Sequence, residues 1–262
     1  MRIAICVKKD IHGLLAARIL ADRLSFAELR FFCSVKTREA ELDVPALRLM
    51  KLLERDVAID TLAALESSMP GLPHPETWTP LMDMKAEGGA ATLLAFRPDV
   101  VVSARFSLIF PQRVIDAVPR GIVNVHPGAL PGYRGLFAPF WQVAKGEREL
   151  GCTVHMVDRG IDTGPILGVA RVPFQSSRSL MWHTSRLYSG GVEIAARAVA
   201  TLARGGTPPG TPQPAGGAYF RFPSAADFAA LPLPIVSARD YAEVLGQAFA
   251  EPAIAHADRQ AA

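Results

Sequence analysis

The sequence predicts an open, doubly wound α/β sheet, mostly parallel, with helices on both faces and a small C-terminal arm. Three observations predict it. A short apolar run at the start leads directly into a helical repeat. The run Asp99-Val100-Val101-Val102-Ser103 is nearly all apolar, the pattern of a strand buried on both faces of a parallel sheet. Strand and helix signals then keep alternating up to residue 204. With 262 residues, half of them apolar and 20% charged, the chain has the composition of an ordinary soluble globular protein, which excludes disorder as its dominant state.

Arg2 to Val7 reads as the first strand, and Leu14, Leu15, Ile19 and Leu20 recur at helical spacing within Ile11 to Leu24. A second strand is predicted from Glu28 to Val35, then a helical region from Pro45 to about Ser67 carrying Leu47, Leu49, Met50, Leu52 and Leu53. Pro70, Pro73, Pro75 and Pro80 demand a loop, because proline cannot continue a helix or join a central ladder, and Trp78 is expected to pin that loop down. A helical pattern from Leu81 to Phe96 stops at Arg97-Pro98, just before the buried strand. A short helix from Pro111 to Ala117 leads to a strand at Gly121 to His126. Further strands are expected at Cys152 to Val157 and Ile166 to Val172, then a long helix from about Ser177 to Arg204 with Gly190-Gly191 as its weak point. Residues 1–204 are therefore expected to form the main domain. Residues 205–262, rich in Gly and Pro at first, are expected to pack on it as an arm with the last ten residues frayed.

The longest apolar runs fall far short of the roughly 20 residues that cross a bilayer, and the first ten residues are too short for a signal-peptide core. A cytoplasmic location without a membrane partner is expected. Cys6, Cys33 and Cys152 lie far apart and form no pair at metal-ligand spacing, so buried thiols in a reducing compartment are expected and no metal. A net charge of +3 is too mild to argue for a nucleic-acid partner, and an anionic small molecule fits equally well.

In an open α/β sheet, ligands bind in the crevice beyond the C-terminal ends of the strands, so polar residues there carry the most functional weight. Asn124 and His126 stand at such an end, on one face of the strand and about 6–7 Å apart along it. A carboxamide and an imidazole can therefore aim at one point, although Asn124 could equally satisfy a loop backbone and His126 sit as a capped core histidine. Downstream, Asp158 and Asp162 bracket a tight Gly-rich loop. An aspartate that reached His126 would orient the ring and raise its pKa, keeping it protonated near neutrality. Ordinary turn chemistry is the competing reading for each aspartate.

The spaced motifs decide between these readings. Asn124-Val-His-Pro-Gly-Ala-Leu-Pro-Gly-Tyr-Arg-Gly135, then Pro139, Trp141 and Lys145-Gly146-Glu147, then Gly151-Cys-Thr-Val-His155 and Gly160-Ile-Asp-Thr-Gly-Pro-Ile166, closely resemble the signature of the folate-dependent formyltransferases. That family includes the glycinamide ribonucleotide, methionyl-tRNA and sugar-nucleotide N-formyltransferases and the related formyltetrahydrofolate deformylases. The resemblance is strong over residues 99 to about 172 and weaker over 1 to 98. It implies a Rossmann-like domain and formyl transfer from 10-formyltetrahydrofolate, as co-substrate and without a metal, to an amine. The family's asparagine falls on Asn124, its histidine on His126 and its aspartate on Asp162.

For the folate, the resemblance points to Ser103, Arg105, Phe106, Ser107, Leu108 and Ile109 at and beyond the buried strand, and to Asp158, Ile161 and Gly164 in the Asp/Gly loop. Phe106 to Phe110 could instead simply cover the sheet. His155 also matches a family position.

Departures from the pattern bear on the acceptor. Lys8-Lys9-Asp10-Ile11-His12-Gly13 lacks the glycine-rich phosphate loop of the glycinamide ribonucleotide enzymes. The stretch after Gly205 is too short for the β-barrel of the methionyl-tRNA enzymes, so transfer RNA is disfavoured. The deformylases' N-terminal regulatory domain has no counterpart before Arg2, and the usual serine after His-Pro is Gly128. A small-molecule amine is the expected acceptor, an amino-sugar nucleotide or a precursor of a specialised metabolite, siderophore or peptide. Lys8, Lys9, Tyr133, Arg134, Trp182 and His183 are candidates to line its pocket, with surface solvation for the lysines and core packing for Trp182 as the alternatives. Hydrolysis of formyltetrahydrofolate, or a folate-binding sensor without catalysis, are the rival functions. The arm is compatible with a homodimer, though nothing requires one.

Overall fold

A computed structural model describes residues 1–35, 43–58 and 72–249. Seven strands form one sheet in the order β3-β2-β1-β4-β5-β7-β8. β1 (Arg2–Lys8), β2 (Glu28–Ser34), β3 (Thr79–Leu81), β4 (Val100–Ala104) and β5 (Ile122–His126) pair in parallel, whereas β7 (Glu149–Met156) and β8 (Ile166–Pro173) are antiparallel additions at one side. β4 is buried along its whole length, as its apolar run requires. The sheet is mostly parallel with helices on both faces, a Rossmann-like α/β fold.

Two apolar layers cover the sheet. α1 (Ile11–Arg23) and α6 (Leu180–Ala203) lie on one face, where Leu14, Leu20, Leu187 and Val192 pack against Ile3, Ile5, Val102 and Val125. α3 (Gly89–Ala95) and α4 (Gln112–Ala117) cover the other, where Leu93 and Val114 meet Ala4, Cys6, Val101 and Ile122. The alternation of side chains along each strand makes this division possible. Asp10 starts α1 by accepting from the Gly13 amide at 2.9 Å.

α6 runs unbroken through Gly190-Gly191, so these glycines are not its weak point. A Cβ at Gly191 would stand 2.5 Å from Cys152 Sγ and 2.8 Å from Val125 Cγ1. The glycine lets the helix lie directly on β5 and β7. Gly191→Ala is therefore expected to destabilise the protein by about 1–2 kcal/mol net, because overpacking at contacts this short costs about 2–3 kcal/mol and alanine's helix preference returns only roughly 1 kcal/mol. A urea melt with an unchanged or raised midpoint would refute this packing.

The region between β2 and α3 departs most from expectation. α2 (Pro45–Lys51) continues as a π-helical turn at Leu52–Val57, and the rest of the helix predicted to about Ser67 lies outside the described residues, as does Pro70. Within the proline loop sit a single 3-10 turn at Pro75–Thr77 and the edge strand β3. Pro80 is tolerated in β3 because an edge strand has a side free of ladder bonds. Trp78 pins this segment by stacking on Phe31 at 5.6 Å and donating Nε1–H to the Pro73 carbonyl. The helix expected from Leu81 forms only as α3. Gly88-Gly89 folds back on Asp83, leaving 2.0 Å between a Cβ at Gly89 and the Asp83 carbonyl oxygen.

β6 (Tyr133–Gly135) and α5 (Ala138–Ala144) had no sequence counterpart, and neither did the regular elements of the arm. From the arm, β9 (Ala218–Phe220) pairs with β6, and α7 (Ala225–Ala229) follows behind a Ser224–Asp227 capping box. α8 (Ala238–Phe249) packs on α1 and α6, where Asp240 and Glu243 bind Arg178, and Tyr241 donates to the Leu53 carbonyl at 2.8 Å. The residues expected to fray lie outside those described. Among the described residues, no helix is long and apolar enough to cross a membrane.

Candidate active site

Asn124 and His126 emerge at the C-terminal end of β5, in register with polar neighbours on both sides. Ser103 of β4 lies beside Asn124, and His155 of β7 lies on its other side, so one polar row crosses three strands. His126 Nε2 lies 2.6 Å from the Tyr133 carbonyl. A carbonyl only accepts, so Nε2 carries the hydrogen and Nδ1 is the nitrogen left to face Asp162 Oδ2 at 3.6 Å. Gly128 is required by this bond: a Cβ there would stand 2.6 Å from His126 Nε2 and 2.7 Å from the Tyr133 oxygen. A serine at 128 has no room in this chain.

Asp162 arrives from the loop between β7 and β8. Asp158 builds that loop by accepting from the Gly160 amide at 3.0 Å and the Thr163 hydroxyl at 2.6 Å. Gln213 of the arm ties it down through the carbonyls of Asp162 and Gly164. Asp162 adopts a left-handed backbone with φ +55°, as do Arg105 (+62°) and Phe137 (+55°) nearby. Three such non-glycine residues around one cleft mark a place where backbone strain is held by its surroundings. Asp162 Oδ2 accepts from the Gly135 amide at 3.0 Å, and Oδ1 faces His155 Nε2 at 3.7 Å. His155 donates Nδ1–H to the Met156 carbonyl at 2.8 Å, leaving Nε2 to accept from Asn124 Nδ2 at 3.1 Å. One amide hydrogen of Asn124 is thus engaged and the other is available to the cleft.

Burial is the largest influence on both titrating groups. It pushes His126 below the ordinary histidine value, and the opposing pull of Asp162 and of the Tyr133 carbonyl does not restore it. This corrects the expectation of an imidazolium held near neutrality: the ring is neutral at pH 7. For Asp162, burial alone would raise the carboxyl, but His126, the nearby His155 and the Gly135 amide outweigh it and hold it at about 2. An ionised carboxylate therefore faces an imidazole nitrogen that can accept a proton.

These groups line a cleft of about 320 Å³ at the strand ends. Of the residues predicted for the formyl donor, Ser103, Arg105, Phe106, Ser107, Leu108, Ile109, Asp158 and Ile161 all line it. Phe106 stacks on Phe110 at 5.3 Å, and Ile109 and Ile161 are exposed at the mouth. Gly164 does not line the cleft; it lets the loop cross Met156, whose carbonyl oxygen would lie 1.9 Å from a Cβ. Among the acceptor candidates only Lys8 lines it. Lys9 pairs with Glu76 at 2.8 Å, the Tyr133 hydroxyl donates to Glu147 at 2.5 Å, and Arg134 reaches Gln213 at 3.5 Å. Trp182 is buried against Arg178 and donates to Glu243, and His183 is buried, stacked on Phe174 and bonded to the Ser179 carbonyl. Trp182 thereby anchors the arm, whereas His183 is bonded within the main domain.

Sequence reasoning missed the walls supplied by Leu47, Met50, Lys51 and Glu54, and by Tyr219 and Phe222 of the arm. The first four recur at helical spacing, which was the available signal. The stretch from Gln213 to Phe222 is similar to the segment after the core domain in small-molecule formyltransferases, but its place on the cleft depends on the pairing of β9 with β6 and could not be read from it. Among the described residues, no group of three or more His, Cys, Asp or Glu is arranged to hold a metal ion.

A formyl transferase family model matches residues 61–199, just over half of the chain, and the chain belongs to that family. The methionyl-tRNA formyltransferase of Ralstonia pickettii is 37% identical over 139 residues, covering 53% of this chain and 42% of that enzyme. The chain spans about half the length of the curated relatives it matches. In fold, it is similar to a sugar N-formyltransferase from Shewanella, with a TM-score of 0.56 and 19% identity over 96% of this chain and 89% of that one. It is also similar to HypX from Aquifex aeolicus in complex with tetrahydrofolic acid, with a TM-score of 0.52 and 20% identity over 84% of this chain and 29% of that one.

Proposed function

We propose that this protein transfers a formyl group from 10-formyltetrahydrofolate to a primary amine or hydroxylamine of a small molecule, an amino-sugar nucleotide or a precursor of a specialised metabolite, siderophore or peptide. The observation that carries the reading is the convergence of Asn124, His126 and Asp162 on one wall of a cleft whose other lining is largely apolar. The HypX complex with tetrahydrofolic acid and the sugar N-formyltransferase support it by similarity of fold.

The apolar wall of Phe106, Leu108, Ile109 and Ile161 suits a flat heteroaromatic ring, and the backbone groups of the Asp158–Asp162 loop suit its polar edge. The formyl donor supplies an electrophilic carbonyl carbon. As the amine attacks, negative charge grows on the carbonyl oxygen, and the free N–H of Asn124 is placed to meet it. The attacking nitrogen must lose a proton. Neutral His126 takes it at Nδ1, and the imidazolium so formed is stabilised by Asp162 at 3.6 Å; as the carbonyl re-forms, the bond from the formyl carbon to the donor nitrogen breaks, and the imidazolium gives its proton to that nitrogen, which leaves as tetrahydrofolate. Asp162 therefore aids a charge that arises during the reaction, which accelerates it more than a charge already present in the ground state.

The test is tetrahydrofolate release, followed by absorbance, with no acceptor and then with amino-sugar nucleotides, hydroxyornithine, aminoacyl substrates and methionyl-tRNA. Release that depends on a small amine is the expected result. Release that depends on methionyl-tRNA would move the substrate to that of the curated relatives. Equal release without acceptor would make the protein a formyltetrahydrofolate hydrolase, and binding without release a sensor.

A further inference from the structure

The backbone partners of His126 and Asp162 sit together on one short strand. Tyr133 offers its carbonyl to His126 Nε2, and Gly135, two residues on, gives its amide to Asp162 Oδ2. A three-residue strand cannot hold its own position, and the ladder partner of β6 is β9 of the arm, with Tyr133, Arg134 and Gly135 opposite Ala218, Tyr219 and Phe220. Phe220 stacks on Tyr133 at 5.5 Å and on Trp141 at 5.1 Å, and Trp141 donates Nε1–H to the Arg221 carbonyl at 2.9 Å. Earlier in the arm, Thr211 exchanges two backbone hydrogen bonds with Ile166 of β8, at 2.8 and 2.9 Å. Gln213 lies between these two docking points.

The Gln213 carboxamide donates to the Asp162 carbonyl at 3.0 Å and to the Gly164 carbonyl at 2.7 Å, while its oxygen faces Arg134 Nη2 of β6 at 3.5 Å. Carbonyls only accept, so the amide nitrogen spends both of its hydrogens on the turn that carries Asp162. One side chain thus bridges the turn that brings the carboxylate and the strand that fixes both members of the pair. Asp162 holds a left-handed backbone at φ +55° without being a glycine, a conformation that persists only where its surroundings enforce it. Gln213 binds the carbonyl of that same residue. The carboxylate acts on His126 across 3.6 Å, close enough that a small rotation of the turn changes the attraction.

We propose that Gln213 is a positioning residue for the proton transfer: by gripping the Asp162–Gly164 turn it sets how closely the carboxylate approaches His126, and it makes the arm part of the active site. This deepens the function proposed above and rests on it. Gln213 touches neither reacting group and acts through Asp162 alone, so its contribution vanishes when the carboxylate is already gone.

The test is a double-mutant cycle on the full-length protein with Q213M and D162N. Methionine keeps the length of glutamine but cannot donate to either carbonyl, and the β6–β9 ladder and the Thr211–Ile166 bonds remain to dock the arm. The first readout is the pKa of His126, followed by NMR without substrate, with H126Q identifying its signals. Asp162 and His155 are the titratable groups that act on this ring. Q213M is expected to lower the pKa of His126, the direction in which D162N also moves it, and to leave it unchanged where D162N is already present. The second readout is kcat with the acceptor found in the release assay. Q213M is expected to lower it about tenfold in the wild-type background, as a small misplacement of a reacting pair does, and by no more than about twofold in D162N. A residue that only held the fold together would cost the same in both backgrounds. Equal pKa shifts in both backgrounds, no shift in either, or an upward shift in Q213M overturns the proposal. Q213N, which keeps the amide but stops one methylene short of the carbonyls, replaces Q213M if that variant does not fold. The titration contains no formyl donor and no amine, so its outcome is separate from that of the release assay.

Discussion

His126→Ala is expected to lower kcat for formyl transfer by about 10²- to 10⁴-fold, the range typical of losing a positioned acid–base group. The expectation rests on the single free nitrogen of the ring. Nε2 is spent on the Tyr133 carbonyl, so Nδ1, beside Asp162, is the one site that can take the proton shed by the amine. The substitution also removes the partner of a shielded carbonyl, at a cost of about 1–3 kcal/mol in stability. Thermal melting must therefore accompany the kinetics. His126→Gln separates the two effects, because a side-chain amide can still donate to Tyr133 but cannot act as a base near neutrality. If His126→Gln melts like the wild type and turns over like it, the proton-transfer role assigned to the ring is wrong. Asn124→Ala is a weaker change by this reasoning, since it removes one donor to the developing oxyanion while leaving the base intact.

Much of this site could be read from the chain because it depends on short-range rules. Asn124 and His126 share a face by the two-residue period of a strand, and Pro127-Gly128 ends that strand immediately. β1, β4 and β5 announce themselves as apolar runs because a parallel strand is covered on both faces. What could not be read depends on long-range placement. Lys9, Tyr133 and Arg134 looked like acceptor ligands, yet each has a closer partner in Glu76, Glu147 and Gln213, residues 67, 14 and 79 positions away. Glu54 was unremarkable in a charged helix until the π-helical turn carried it to Arg105. The pKa of His126 was misjudged for a related reason. The family resemblance implied a carboxylate neighbour but not the full burial of the ring, and the cost of charging a desolvated imidazole exceeds what one carboxylate at 3.6 Å returns.

Asp162→Asn gives the second large effect and reads out that balance directly. The substitution keeps the shape of the side chain and an oxygen for the Gly135 amide, but removes the charge that stabilises protonated His126. kcat is expected to fall by about 10²-fold or more. The acid limb of its pH profile, taken at saturating acceptor with the amine's own ionisation divided out, should move as well. In the wild type, the limb lies below 6.5, the ordinary histidine value, because burial depresses His126. Without Asp162 the depression deepens and the limb moves to lower pH. A limb that stays put or moves upward would mean that His126 is not the titrating base. Stability should follow the same signs. His126, depressed on folding, contributes stability that is present above 6.5 and lost as pH falls through its folded value. Asp162, held at about 2, contributes stability present above its ordinary 3.8 and lost as pH falls towards 2. Wild-type melting temperatures are thus expected to drop in two windows on acidification. The variant should show a smaller drop in the lower one, because an asparagine has no proton to gain, while other depressed carboxylates such as Asp10 and Asp240 still contribute there.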